Sequence, residues 1–376
     1  MVVGLKDGIK LIGVAVVCFC AAFVCTFFLN YYVDASGIAS SIIPELQPLY
    51  DAQMATAKLV CIISGGVLCV IAAVMTAFYI KLFIDGNAKR FAVLKAMGYS
   101  NGRIAAGFWV FGLSVFVGTA IGYGAGYIMM PTVYEGLTVN GLSPIEIGFH
   151  AWLPVALIFA PTVLFSAISC GYAMLALRKN ITEMMKGGIV SSKIKPSVRE
   201  RSFKTDMVFG VLRSKKSTVF FVALSCFCFS AMLQMGLSMR TLSSVTMGLI
   251  ILLIGMAIAV TTLIMAVTTV INGNAANIAV MKAFGYSVKE RVFAVLIGYV
   301  PFAFLGFAIG TVYQYGLLKI MVDLVFSDVS GVPDYSFDVA MFFVTLAAFI
   351  VAYALAVVYY SYRISKISAK KVMAEE

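Results

Sequence analysis

The sequence contains few charged residues and a single histidine. Asp, Glu, Lys and Arg make up 12% of the 376 residues, whereas a soluble domain carries about a quarter. So few polar side chains do not cover a surface that faces water, which argues against a soluble enzyme. One histidine likewise argues against zinc sites and histidine-based catalytic triads. His150 stands beside Phe149 and Trp152 at the end of an apolar run, and we interpret it as an interfacial residue.

Long apolar runs are abundant instead. Hydrophobic residues form 62% of the chain, and its mean hydropathy is +1.00. Eight runs have the roughly 20 residues that a helix needs to cross a bilayer, which predicts an all-α integral membrane protein. The first run lacks a small-residue cleavage site, so we predict a membrane helix there and not a signal peptide. The predicted spans are residues 11–31, 58–82, 104–130, 151–177, 217–238, 246–271, 292–318 and 338–362.

The basic residues lie on one side of these spans. The two termini and the loops at 81–103, 178–216 and 282–291 hold 25 of the 28 Lys and Arg residues. The opposite loops hold nine of the 17 acidic residues. By the positive-inside rule, both termini are expected in the cytoplasm. The net charge of +11 then reflects this topology and contact with anionic membrane lipids, and we expect no nucleic-acid partner.

The cysteines are interpreted as packing residues. All eight fall inside predicted spans, away from outer loops in which an oxidising compartment would pair them. Cys18-Phe19-Cys20 and Cys226-Phe227-Cys228 look like a metal motif, but residues two apart on a helix face different directions. No histidine or carboxylate is near either pair. We therefore predict no metal site and treat the cysteines as small apolar side chains.

One fifteen-residue segment occurs twice. Residues 86–100 read GNAKRFAVLKAMGYS and residues 273–287 read GNAANIAVMKAFGYS, with ten identical positions at an offset of 187. Each copy follows the second span of a group of four, so we predict a tandem duplication of four spans in one orientation. The expected domains are residues 1–180 and 215–376, joined by a basic cytoplasmic linker at 181–214.

The repeated segment is predicted to form a short helix along the inner face of the membrane. Apolar residues at i, i+3 and i+6 give each copy one apolar stripe. Gly98 and Gly285 stand where a helix ends in a left-handed residue. Ser100 and Ser287 suit the N-cap of the next membrane helix, and Ser287 with Glu290 completes a capping box.

Ten identities, exposed positions included, indicate that both segments bind a recurring partner, whereas an ordinary turn between spans is the alternative. The candidate docking residues are Phe91, Leu94, Lys95, Met97, Gly98 and Tyr99 in the first copy and Ile278, Met281, Lys282, Phe284, Gly285 and Tyr286 in the second.

Glycines at helical spacing follow each repeated segment. Gly118, Gly122 and Gly126 form a smooth face in the third span, and Gly306 and Gly310 form one in the seventh. Such faces let another helix approach closely. We expect them to pack the two halves of the chain together, and a homodimer surface is the alternative.

Leu94-Lys95-Ala96-Met97-Gly98 and Met281-Lys282-Ala283-Phe284-Gly285, each in a span–short helix–span arrangement, resemble the FtsX-like permease domain of MacB-type (type VII) ABC transporters. The resemblance implies a permease of the bacterial cell membrane without catalytic residues. It also implies that residues 86–99 and 273–286 are cytoplasmic coupling helices that dock a separate ABC ATPase dimer. ATP and Mg would then belong to that partner, and this chain would hold no cofactor. Many family members carry a large extracytoplasmic domain after the first span, whereas that gap here is only residues 32–57.

Three functions follow from these patterns. The first is an ABC permease that exports an amphiphilic peptide, antibiotic or lipid, or handles it at the outer leaflet. The second is a mechanotransmitting protein that controls an extracytoplasmic partner or sensor without moving cargo. The third, a secondary carrier or channel, is disfavoured because the predicted spans lack deep ionisable residues. The chain also has no G-x-x-x-x-G-K-[ST] segment, so it is not expected to hydrolyse ATP by itself.

Overall fold

The computed structural model describes residues 12–37, 44–137, 146–178, 180–185, 216–242, 245–325 and 335–366. Within these ranges all regular secondary structure is helical, and eight helices are long and apolar enough to cross a membrane. The predicted all-α class and the predicted number of spans are confirmed. The spans are Ile12–Ser36, Tyr50–Gly86, Asn101–Thr132, Trp152–Ala176, Thr218–Ser238, Leu252–Ile271, Val288–Asp323 and Val339–Tyr359.

The first half of the chain contains four spans and one short helix between the second and third. A 3₁₀ turn at Gly107–Trp109 interrupts the third span. The fourth span opens with a short helical turn at Trp152–Pro154, and a π-helical turn at Val155–Phe159 follows before its main helix. The helices are α1 (Ile12–Ser36), α2 (Gln47–Gly86), α3 (Ala88–Ala96), α4 (Asn101–Ala106), α5 (Val110–Leu137), α6 (Ala160–Ala176) and α7 (Ile181–Met185).

The second half repeats this order. A 3₁₀ turn at Ile297–Tyr299 again divides the span that follows the short helix, and a π-helical turn at Met321–Val325 ends it. The helices are α8 (Lys216–Leu242), α9 (Val245–Gly273), α10 (Ala275–Ala283), α11 (Val288–Leu296), α12 (Val300–Ile320) and α13 (Val339–Lys366). The short helices α3 and α10 lie at the same place in the two halves, as the duplication predicts.

α2 is longer than the span predicted at 58–82. It begins at Gln47, so eleven further residues before Lys58 are helical. These residues are too polar to count as an apolar run, but most of them, such as Gln, Ala and Met, are good helix formers. Pro48 stands in the first turn, where the missing N–H of proline costs no hydrogen bond.

α1 is the most enclosed helix of the first half. It packs mainly against α2 and α5, and 61% of its most apolar window is buried, compared with 17% for the span that contains α6. Its C-terminal part contributes Phe23, Phe27 and Tyr31 to a buried cluster that also contains Tyr50 and Tyr134. α6 is therefore positioned by much less packing than α1.

The glycine faces pack against the first helix of their own half. A Cβ atom on Gly118 or Gly122 would clash with backbone carbonyl oxygens of α1, and one on Gly126 would lie 3.0 Å from the Cβ of Thr26. Gly306 and Gly310 face the backbone of α8 in the same way. The glycine faces were predicted to pack the two halves together, and these contacts correct that prediction. The same faces are covered by a helix of their own half, so they are not available as a homodimer surface.

The register of this packing recurs in both halves. Gly118 and Gly122 contact the carbonyl oxygens of Ala15 and Phe19. The matching glycines of α12 contact those of Ala223 and Phe227, and both of these partners stand 208 positions after their counterparts. The four cysteines that flank Phe19 and Phe227 are buried in α1 and α8. The duplication thus includes the first helix of each half.

A polar network joins three helices of the second half. The Gln234 side-chain amide of α8 donates to the hydroxyl groups of Ser230 at 3.2 Å, Thr311 at 2.9 Å and Thr345 at 3.2 Å. All four side chains are buried. Hydrogen bonds of this kind hold membrane helices together where apolar contact alone discriminates little.

The chain divides into two compact units. One contains residues 1–180, 235–254 and 315–337, and the other contains residues 181–234, 255–314 and 338–376. The first boundary coincides with the predicted end of the first domain. Two segments predicted in the second domain, however, cluster with the first unit. Of the predicted linker at 181–214, the described residues include α7, and the rest of the linker lies outside them.

Candidate functional site

The two short helices begin at asparagines that close the preceding membrane helix. The side-chain amide of Asn87 donates to the carbonyl of Phe83 at 2.9 Å, and that of Asn274 donates to the carbonyl of Val270 at 2.7 Å. Each of these carbonyls also accepts the backbone amide of its asparagine, at 3.1 Å in both copies, so the side chain adds a second hydrogen bond at the end of the membrane helix. The arrangement is the same in the two copies.

Each short helix ends in a Schellman motif. Gly98 has φ of 87° and Gly285 has φ of 82°. The amide of Gly98 donates to the carbonyl of Lys95 at 3.0 Å, and the amide of Tyr99 donates to that of Leu94 at 3.1 Å. The same two bonds recur at Gly285. The predicted left-handed glycines are confirmed, and they fix the direction in which the chain leaves α3 and α10.

The predicted N-caps of the following helices are also confirmed. The hydroxyl of Ser100 accepts a hydrogen bond from the amide of Arg103 at 3.3 Å. Ser287 accepts one from the amide of Glu290 at 3.3 Å, and the Glu290 carboxylate accepts one from the Ser287 amide at 3.1 Å, which completes the capping box. α3 and α10 are therefore each separated by one residue from the helix before them and by four residues from the capped helix after them.

The residues of each apolar stripe, predicted to form one docking surface, are partly buried and partly exposed in the structure. Phe91 and Ile278 are fully buried, and the Phe91 ring lies 6.1 Å from the ring of Phe108 and 6.3 Å from that of Phe83 in the same half. Met281 is 4% exposed. Phe91 thus packs α3 onto its own half, and the burial of Ile278 and Met281 leaves them inaccessible to a partner, which corrects the assignment of all three as docking contacts.

The opposite side of each short helix carries exposed apolar residues. Met97 is 68% exposed and Phe284, at the matching position, is 78% exposed. Val93, Tyr99 and Val280 are exposed beside them, whereas Leu94 and Tyr286 are half-buried. We call Val93, Met97 and Tyr99 on α3, and Val280 and Phe284 on α10, the docking faces.

Charge distinguishes the two short helices. α3 carries exposed Lys89 and Arg90, and the Arg103 guanidinium lies 5.5 Å from the centre of the Tyr99 ring. The matching residues 276, 277 and 290 are Ala, Asn and Glu. An acidic partner is therefore attracted more strongly to the α3 side.

Lys95 and Lys282 are half-buried, although the sequence suggested exposed positions. The Lys95 ammonium donates to the backbone carbonyl of Leu177, at the end of α6, at 2.7 Å. No local sequence pattern predicts this contact, because 82 residues separate its partners.

A polar cluster that the sequence did not predict lies where α1 and α5 end and the chain enters the fourth span. The buried Asp34 carboxylate accepts hydrogen bonds from Asn30 at 2.7 Å, from Tyr134 at 2.7 Å and from the amide of Gly148 at 3.3 Å. His150 contacts its other oxygen at 2.7 Å. Burial raises the pKa of Tyr134, and its hydrogen bond to Asp34 raises it further, so the phenol keeps its proton. His150 is thus a partner of Asp34 and not only an interfacial residue.

Among the described residues, no three His, Cys, Asp or Glu side chains are grouped so that they could hold a metal ion. α3 and α10 present exposed side chains that are mostly apolar, with basic residues added on α3. The eight apolar spans define a multi-pass membrane protein.

The family follows from a profile comparison. The FtsX-like permease C-terminal family matches residues 62–181 and again residues 247–369, so the chain belongs to the FtsX-like permease family and carries two tandem copies of its domain. Neither the curated proteins nor the solved structures gave a match. Both matched regions begin after the first helix of a half, and the glycine packing on α1 and α8 extends the duplication to those helices.

Proposed function

We propose that this chain is the permease of an ABC transporter and that a separate cytoplasmic ATPase dimer docks on α3 and α10. ATP hydrolysis by that partner, with its Mg, drives export or outer-leaflet handling of an amphiphilic peptide, antibiotic or lipid. The observation that carries the proposal is the matched pair of exposed apolar side chains, Met97 and Phe284, on two helices of otherwise fixed geometry.

The shape of each short helix suits docking into a groove. One side of each helix is buried, through Phe91 in α3 and through Ile278 and Met281 in α10, while the other side presents a docking face. An amphipathic helix that offers one apolar face to a partner groove is a common mode of peptide recognition. Since two such helices occur in one chain, one permease has a docking face for each subunit of an ATPase dimer.

An amphiphilic substrate is favoured by the interior of the second half. The Gln234 amide, the largest polar group of this network, is bonded to three hydroxyl groups. A path for a polar or charged solute through this network would need polar groups that remain available to it, and the donor groups of Gln234 are already used. Membrane lipids and an amphiphile within the bilayer do not need such a path.

The direct test replaces the exposed docking residues by aspartate. The tagged full chain is expressed in its native host and purified in lipid nanodiscs, and the Mg-dependent ATP hydrolysis that copurifies is measured. A buried charge in place of a central anchor weakens an interface strongly, so Met97→Asp and Phe284→Asp are each expected to lower the copurifying activity about ten-fold or more.

Asn180→Asp is the matched control. It adds the same charge at an exposed position outside both short helices, and it is expected to keep the activity of the unchanged chain. Wild-type activity in both Met97→Asp and Phe284→Asp would contradict docking at these faces. Hydrolysis that copurifies but responds to no amphiphilic substrate would favour the mechanotransmitting alternative.

A further inference from the structure

Lys95 connects the first short helix to the end of the fourth span. Its ammonium group donates to the carbonyl oxygen of Leu177 at 2.7 Å. Leu177 is the C-cap residue of α6, with φ of −78° and ψ of −2°, and its side chain is fully buried. Lys95 itself is half-buried on α3, between the docking face and the interior of the half.

The contact between Lys95 and Leu177 is a charge-assisted hydrogen bond, which is a strong one. The last carbonyls of an α-helix have no partner within the helix and carry partial negative charge. An ammonium group is the side chain that satisfies such a carbonyl best, and a hydrogen bond from a charged donor is about twice as strong as a neutral one. The bond therefore holds α6 to α3 by its end, where α6 offers its strongest acceptor.

α6 depends on this fastening more than the other helices of its half do. Its buried residues form a single narrow stripe, Phe165, Ser169 and Ala173, which Leu177 continues. Only 17% of the most apolar window of this span is buried. A helix that is buried along one stripe is restrained less against sliding along its axis or rotating about it than an enclosed helix is. A hydrogen bond at its end therefore adds restraint. At the opposite end the π-helical turn Val155–Phe159 replaces regular helix, and such turns are frequent at functional positions.

We propose that Lys95 is the positioning residue that carries movement of α3 into α6. This inference rests on the proposed function, in which the ATPase moves α3. α3 transmits such movement without bending because Phe91 is anchored among the rings of Phe83 and Phe108 and Gly98 closes its end. α2 and α4 follow α3 through the chain itself. α6 packs along α2, α4 and α5, and Lys95 adds the hydrogen bond that ties the end of α6 to α3 itself. Lys282 stands at the matching, half-buried position of α10.

The experiment measures the distance between α3 and α6 in the full chain. Labels are attached through non-canonical amino acids at Ala96 on α3 and at Leu175 on α6, both of which are exposed, because the native cysteines would compete with thiol labels. The distance distribution is recorded in nanodiscs with the copurified ATPase, once without nucleotide and once with Mg-ATP. Wild type, Lys95→Met and Lys95→Arg are compared.

In wild type the two labels are expected to keep one narrow distance in both states, because α3 and α6 move together. Lys95→Met removes the charged donor and keeps most of the side-chain volume. Its distribution is expected to broaden without nucleotide and to shift with Mg-ATP, since loss of such a bond changes the fastened fraction about ten-fold. Lys95→Arg, which keeps a charged donor, is expected to restore the narrow distance.

A merely structural role for Lys95 predicts different results. It would lower the amount of copurified ATPase and the thermal stability of Lys95→Met, and it would leave the distance unchanged in the molecules that remain folded. Unchanged distances in Lys95→Met, with wild-type amounts of ATPase, overturn the transmission role alone. A wild-type chain that retains no ATPase overturns the proposed function instead, and the transmission role with it.

Discussion

At the scale of single residues, Gly98 and Gly285 determine how each short helix ends. Both have positive φ, and no heavy atom lies within 4 Å of the position that a Cβ would take. The requirement for glycine is therefore conformational and does not come from crowding. A left-handed backbone costs other residues roughly 1–2 kcal/mol.

Gly98→Ala is expected to lower the stability of the first half by about 1 kcal/mol, because the added methyl group is strained at positive φ. The measurement is the thermal unfolding midpoint of the full chain in nanodiscs. Gly102→Ala is the matched control, since Gly102 also has open space around it but lies within helix α4 at ordinary φ. Alanine there is expected to leave the midpoint unchanged or to raise it. Equal effects of the two changes would show that the end of α3 does not need a left-handed residue.

Residue-level features differed in how far the sequence predicted them. The left-handed glycines and the serine caps follow from a few consecutive residues, because a cap is a local hydrogen-bonding pattern. The burial of Met281 does not follow from its stripe, since a stripe of period 3.6 shows which residues share a face and not what that face contacts. The pair of Asp34 and His150 spans 116 positions, and no local pattern predicts such a contact.

At the scale of helices, the close pairing of α5 with α1 and of α12 with α8 is the most regular feature of the two halves. The sequence predicted the smooth glycine faces but assigned them the wrong partner. Small residues indicate that a helix approaches closely, without identifying which helix it is. The register that relates Phe19 to Phe227 became visible only when each glycine was seen against its partner backbone.

Gly122→Ala is expected to destabilise this pairing, because its Cβ would meet the carbonyl oxygen of Phe19 in α1. Overpacking of this kind costs typically about 1–3 kcal/mol, so the thermal midpoint in nanodiscs should fall. Gly124→Ala on the same helix is the control, since nothing lies within 4 Å of its added methyl group. A Gly122→Ala protein as stable as Gly124→Ala would contradict the close packing of α5 on α1.

At the scale of the whole molecule, the chain is a duplicated FtsX-like permease with one short helix in each half. The sequence predicted eight spans because length and apolar composition decide membrane insertion, and it predicted the duplication because ten positions of one segment are repeated. It did not predict that residues 235–254 and 315–337 cluster with the first unit. Such a division depends on contacts between distant segments, which periodicity does not encode. The orientation of the spans stays a prediction from the distribution of Lys and Arg.

The duplication has a direct consequence for assembly. An ATPase dimer has two equivalent subunits, and a closed two-fold assembly offers two equivalent sites. Under the proposed function, one chain carries two docking faces, one around the exposed Met97 and one around the exposed Phe284. A permease made of two chains would present twice as many docking helices as the ATPase pair can use.

The stoichiometry of the intact complex tests this account most directly. Native mass spectrometry of the full-length permease, released from nanodiscs together with its copurified ATPase, gives the number of each chain in one particle. We predict one permease chain with two ATPase subunits, and the loss of ATPase from that particle in the Met97→Asp, Phe284→Asp double variant. Particles that contain two permease chains for each ATPase pair would contradict the account.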